Sequence, residues 1–148
     1  MAVEIIGTYR SGLKMDLVHG PSGTGMRTSA PVDNKGDGSS FSPTDLLAAA
    51  LGSCAVTTMA ILADLKSIPF DSASFVVEKH MRSGPRRVDR LPLRIRMPSG
   101  LTEDQRAYLE EIARTCPVAR SLLPEIEVEM VFEYASDAIE PAPGGVAT

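Results

Sequence analysis

Ser42-Pro43-Thr44-Asp45-Leu46-Leu47-Ala48-Ala49-Ala50-Leu51-Gly52-Ser53-Cys54-Ala55-Val56-Thr57-Thr58-Met59-Ala60-Ile61-Leu62-Ala63-Asp64 is the stretch whose reading decides the fold of this chain. It opens with three helix-start signals: Ser42 as N-cap, Pro43 at the first helical position and an acid in the first turn. The apolar pattern predicts a helix running on to about Ile68. From Leu46 to Ala63 no residue is charged, which approaches the ~18–20 apolar residues of a membrane span. Gly52, Ser53, Thr57 and Thr58 dilute the run, Asp45 and Asp64 bracket it, and no aromatic belt flanks it, so a core helix is predicted and no membrane partner. A helix apolar on nearly every face must be buried on nearly every face. One sheet in a chain this short covers one side, so the other side is expected to meet a second subunit, as in an obligate homodimer.

Outward from this helix the period changes to two. Leu13-Lys14-Met15-Asp16-Leu17 alternates strictly, as does Ile126-Glu127-Val128-Glu129-Met130 continuing to Phe132-Glu133-Tyr134, and both read as half-buried strands. Leu91, Leu93, Ile95 and Met97 alternate against Arg94 and Arg96, with Pro92 pointing to an edge strand or to the first residues of that strand. A strand is predicted at about 73–81, and weaker ones over 3–9 and 26–32. Gly20-Pro21-Ser22-Gly23 and Ser83-Gly84-Pro85 mark turns, and 33–40 is an exposed loop. Arg82, Arg86, Arg87 and Arg90 read as a solvated basic hairpin. Thr102-Glu103-Asp104-Gln105 is a capping box opening a second helix with Tyr108, Leu109, Ile112 and Ala113 on its apolar face, ending before Pro117. A short third helix starts at Pro117 and stops at Pro124. The order β-β-β-α-β-β-α-α-β is α+β with mostly antiparallel sheet.

The chain has 148 residues, 43% hydrophobic and 23% charged, with mean hydropathy +0.01. That fits one globular domain, expected over 1–135, with 136–148 (Pro141, Pro143, Gly144 and Gly145 among them) as a disordered tail. A net charge of -4 and a pI near 5.2 oppose nucleic-acid binding, which needs clustered Lys and Arg. Met1-Ala2-Val3-Glu4 shows no secretory signal, so a cytoplasmic protein is expected. Cys54 and Cys116 make neither a disulfide framework nor a metal-ligand spacing, and with His19 and His80 they fit no zinc pattern. No phosphate-cradling Gly-rich loop or serine nucleophile elbow is present, and no cofactor is expected.

Cys54 lies mid-helix, ~15 Å from the helix N-terminus at ~1.5 Å per residue, where a thiol reads as a small core residue. Cys116 precedes Pro117 as a candidate N-cap, with Arg114 and Arg120 close in sequence. It reads either as an ordinary cap residue or as a thiol whose anion is favoured. Local physics therefore picks Cys116 as the more acidic thiol.

The segment Ser42 to Cys54, followed far downstream by Cys116-Pro117-Val118-Ala119-Arg120-Ser121-Leu122, resembles the OsmC/Ohr family of thiol-dependent peroxidases, over about Val3 to Tyr134. The resemblance implies an intertwined α+β homodimer, mostly antiparallel sheets around long central helices, with two active sites at the subunit interface. It implies that Cys54 attacks a peroxide to form a sulfenic acid. Cys116 then closes an intrasubunit disulfide, which a dithiol or lipoyl-type reductant reopens. Substrates would be organic hydroperoxides or hydrogen peroxide, and Leu51, Val56 and Met59 would suit an alkyl group.

In the family an arginine held by a glutamate lowers the pKa of the first cysteine. The glutamate position is Thr44 here, and the nearest acid is Asp45. At ~100° per residue, Thr44 lies ~80° and Asp45 ~180° around the helix from Cys54. Asp45 either serves the partner subunit's site or closes a capping box with Ser42. Arg27 and Arg10 are the candidate arginines, with Arg27 preferred. The loss of the glutamate keeps a second reading open: a non-catalytic dimer of the same fold that binds a small apolar ligand or senses oxidants.

Overall fold

The computed structural model describes residues 1–135; the predicted tail, 136–148, lies outside them. The chain divides into two compact units, Met1–Leu47 and Ala48 onward.

The first unit is a three-stranded antiparallel sheet in the order β1 (Ile5–Tyr9), β2 (Lys14–His19), β3 (Gly25–Ser29). Its side chains alternate as the sequence predicts, but apolar residues face outward on both surfaces: Ile5, Ile6, Tyr9, Val18 and Met26 are all exposed. The loop after β3 is more ordered than its Gly/Asp/Ser composition predicts. A single 3-10 turn (Val32–Asn34) starts it, and Gly36 comes so near the Ala30 carbonyl that no Cβ fits there. Lys14 Nζ reaches Asp37 at 2.7 Å and Ser39 at 2.7 Å, while Ser29 Oγ donates to Asp37 at 2.6 Å. These bonds, Lys14 foremost, hold the Asp37 carboxyl far below the usual carboxylate range.

Helix α1 (Pro43–Leu65) begins in the first unit and continues into the second. The Ser42 N–H donates to Asp45 Oδ2 at 2.8 Å and the Asp45 N–H to Ser42 Oγ at 3.1 Å, which is a capping box. The predicted all-round burial of α1 is not what the chain shows. Ala48, Leu51, Gly52, Ala55, Met59 and Ala63 form one buried stripe, and of the helix's most apolar window 33% is buried.

The second unit is a mixed four-stranded sheet with two further helices. Central strand β6 (Arg87–Arg96) pairs antiparallel with β4 (Ser74–Val77) and β5 (His80–Arg82), and parallel with β7 (Glu127–Glu133). Two expectations are corrected here. Pro92 does not mark an edge: it sits inside the central strand, and its cost appears in the neighbour. Glu78 N–H donates to the Pro92 carbonyl at 2.9 Å, but proline has no N–H to return the bond, so the predicted 73–81 strand breaks into β4 and β5 opposite it. Leu91, Leu93 and Ile95 of β6 are fully buried, together with Leu51, Ala55 and Met59 of α1 and Leu109 and Ala113 of α2 (Glu103–Arg114). The Thr102/Gln105 capping box of α2 forms as predicted, with bonds of 3.2 and 3.0 Å. Helix α3 (Pro117–Ser121) stops earlier than the predicted Pro124.

Candidate functional site

Cys54 and Cys116 come together within the second unit. Both are free thiols, and they lie close enough for Cys54 to act on the ionisation of Cys116. Helix α1 presents Cys54 half-exposed; the end of α2 and the start of α3 present Cys116 fully buried. Cys116 is the N-cap residue of α3, as predicted, with extended backbone and no side-chain cap hydrogen bond.

The predicted acidity of Cys116 is reversed by tertiary structure. Burial pushes its thiol above the ordinary value, and the hydrogen bond to Cys54 and the charge of a Cys54 thiolate push it further. The N–H groups of Ala119 and Val118 pull the other way, and burial wins. The two arginines invoked from sequence are engaged elsewhere. Arg114 lies over the Phe132 ring at 4.9 Å and 3.4 Å from Glu110, and Arg120 Nε donates to the Thr115 carbonyl at 2.8 Å. Beside Cys54, the Cys116 thiol is therefore held in its protonated form.

Cys54 has a second neighbour that the sequence reading treated only as a diluent of the apolar run. Thr58 Oγ1 lies 3.8 Å from Cys54 Sγ, one turn along α1. Its signal in the sequence is the i, i+4 spacing, which puts both side chains on one helical stripe.

In the first unit, Arg27 and Arg10 converge on one carboxylate, Asp16, which the sequence reading had not singled out. Arg27 Nε and Nη2 contact Asp16 Oδ1 and Oδ2 at 2.6 and 3.1 Å, a bidentate pair. Arg10 Nε adds a bond of 2.9 Å to Oδ2. Asp16 and Arg27 are directly opposite in the β2–β3 register, so strand alignment was the available signal. Arg27, then Arg10, hold the Asp16 carboxyl down at about 2. The folded value lies below the unfolded one, so the stabilisation is present above about pH 4 and is lost as pH falls through about 2. Asp45 closes the α1 capping box, one of the two roles read from sequence. Among the described residues, no three His, Cys, Asp or Glu side chains group as metal ligands.

The family described as OsmC-like protein matches residues 36–131, spanning both cysteines. The chain belongs to the OsmC-like family. A crystal structure from Psychrobacter arcticus, of a protein described as osmotic stress induced and of the detoxification response, is 36% identical to this OsmC-like protein. The match covers 87% of this chain and 94% of that one at a TM-score of 0.83. OsmC of Legionella pneumophila, described as an organic hydroperoxide resistance protein, shares the fold at 15% identity (TM-score 0.73, 89% of this chain and 96% of that one). So does an organic hydroperoxide resistance protein of Elizabethkingia anophelis at 16% (TM-score 0.72, 90% and 96%). No curated protein matches the chain. The α+β architecture expected from sequence is thus the OsmC/Ohr fold.

Proposed function

We propose that this OsmC-like protein is a homodimeric thiol peroxidase that reduces organic hydroperoxides or hydrogen peroxide, with Cys54 as the peroxidatic and Cys116 as the resolving cysteine. One observation carries the reading: a half-exposed Cys54 thiol lies beside a fully buried Cys116 thiol whose ionisation burial and Cys54 oppose. In the first step the Cys54 thiolate attacks one peroxide oxygen and the O–O bond breaks. The alcohol or water leaves after taking up a proton, and Cys54 holds a sulfenic acid. Cys116 then attacks that sulfur, its own proton leaves with the hydroxyl as water, and a disulfide forms. A dithiol in a cytoplasmic setting reopens it by exchange. Neutralising the Cys54 thiolate by oxidation removes one of the causes that keep Cys116 protonated, so the resolving thiol becomes easier to ionise when it is needed.

Arg27 is the cation that the family resemblance points to, and within the first unit the Asp16 carboxylate fixes its guanidinium plane. A general redox and peroxide-resistance role agrees with the family and with the organic hydroperoxide resistance proteins that share its fold. Purified protein with cumene hydroperoxide or hydrogen peroxide and dihydrolipoamide is expected to give many turnovers. Consumption that stops at or below one equivalent per chain would remove the peroxidase reading and leave the ligand-binding or oxidant-sensing one.

The dimer rests on apolar surface. The three-stranded sheet exposes Ile5, Ile6 and Tyr9 at 68%, 55% and 61%, while Ile61 and Leu65 of α1 are exposed at 55% and 75%. A second copy of the chain is the proposed cover. Sedimentation equilibrium should return a mass of two 15.8 kDa chains; a single-chain mass at micromolar concentration would overturn this part.

A further inference from the structure

We infer that the Thr58 hydroxyl is a hydrogen-bond donor to the Cys54 thiolate and sets how readily that sulfur ionises, an inference that rests on Cys54 being the reacting thiol. Thr58 Oγ1 stands 3.8 Å from Cys54 Sγ, within reach for the larger sulfur atom. The geometry follows from the helix: side chains at i and i+4 share a stripe, and each leans toward the N-terminus, so the Thr58 side chain leans over Cys54.

The chemistry of the surroundings argues that this contact matters. Between Leu46 and Ala63 the helix offers no charge, and Cys54 is too far along it to feel the N-terminal dipole, which acts within the first turn. A half-buried thiolate in such a place needs donors, since each hydrogen bond to the charged form favours it. Among the described residues, the Thr58 O–H is such a donor at Cys54, with the Cys116 thiol as the other neighbour. Cys116 gives up its proton when the disulfide closes and regains one only on reduction, whereas the Thr58 hydroxyl takes no part in the exchange and stays in place throughout the cycle.

A helical threonine can also donate to the carbonyl four residues back, which here belongs to Cys54 itself. That purely structural role does not alter the ionisation of a thiol, and it separates the two accounts. The test is the pH profile of Cys54 alkylation by iodoacetamide, read on the Cys54 peptide by mass spectrometry, for the wild type, Thr58→Val, Thr58→Ser and Thr58→Ala. Valine keeps the shape and removes the hydroxyl; serine keeps the hydroxyl. The expected result is a midpoint raised by about one pH unit in Thr58→Val, so that alkylation well below the midpoint slows about tenfold, with Thr58→Ser on the wild-type curve. A Thr58→Val profile that superimposes on the wild type overturns the inference, as does an equal shift in Thr58→Val and Thr58→Ser. If Thr58→Val does not fold, Thr58→Ala decides by the same criterion. Alkylation needs no peroxide, so a protein that fails to turn over peroxide sinks the peroxidase reading while this profile still decides the role of Thr58.

Discussion

Cys54→Ser is expected to lower peroxide consumption by on the order of 10³-fold or more, and Cys116→Ser to leave the first reaction intact while stopping turnover after about one equivalent per chain. The asymmetry follows from the geometry. A serine at 54 would keep the neighbours Cys116 and Thr58, but such neighbours cannot bring an alkanol hydroxyl to ionise near neutral pH, and oxygen attacks a peroxide far less readily than sulfur. A serine at 116 can still donate to the Cys54 thiolate, so sulfenic acid forms at Cys54 and then has no thiol to condense with. Dimedone should therefore label Cys54 in Cys116→Ser and label nothing in Cys54→Ser. Full burial of Cys116 argues the same way, since a peroxide meets the half-exposed sulfur first. Dimedone on Cys116 in Cys54→Ser would reverse the two roles and restore the order that local sequence physics alone favours.

That reversal shows where the sequence is legible and where it is not. Caps, turns and periodicity are written in neighbouring residues, so Ser42 with Asp45, Thr102 with Gln105 and the alternating segments at 13–17 and 126–134 are found where they are expected. Properties set by distant partners are not. Pro117, Arg114 and Arg120 point to an acidic Cys116, yet its ionisation is opposed by burial and by Cys54, 62 positions away along the chain. Asp16 looked like one polar position of an alternating strand, and only the β2–β3 register turns it into the anchor of two arginines. The rule that proline avoids central strands places Pro92 at an edge or in the first residues of its strand. The rule's physical content survived, because the missing N–H broke the partner strand at Glu78, but its positional conclusion did not.

Gly52 carries the second large effect. Glycine in a helix interior costs about 1 kcal/mol relative to alanine, so its place on the buried stripe of α1 needs a packing reason, and the structure supplies one. A Cβ added to Gly52 would fall among Cε2, Cδ2 and Cζ of Phe75, closer than side-chain carbons approach. Phe75 lies on β4, opposite Ile95 of the central strand, so the ring is wedged between α1 and the sheet and the glycine is what lets them meet. Gly52→Ala gains the helix propensity and loses more to overpacking, for a net destabilisation of about 1–2 kcal/mol; Gly52→Val, with two more methyl groups and a poorer helix former, should cost about 3 kcal/mol or more. Thermal unfolding at one fixed protein concentration reads both, the concentration being held because a dimer's melting point depends on it. Phe75→Leu should cost less in the Gly52→Ala background than in the wild type, since the smaller side chain frees the space the new methyl needs. A Gly52→Ala protein that melts at or above the wild type would show that the ring yields freely. The expected destabilisation has a chemical counterpart, because Gly52 is two residues from Cys54: a helix pushed off β4 carries Cys54 away from Cys116, and disulfide closure should slow together with the loss of stability.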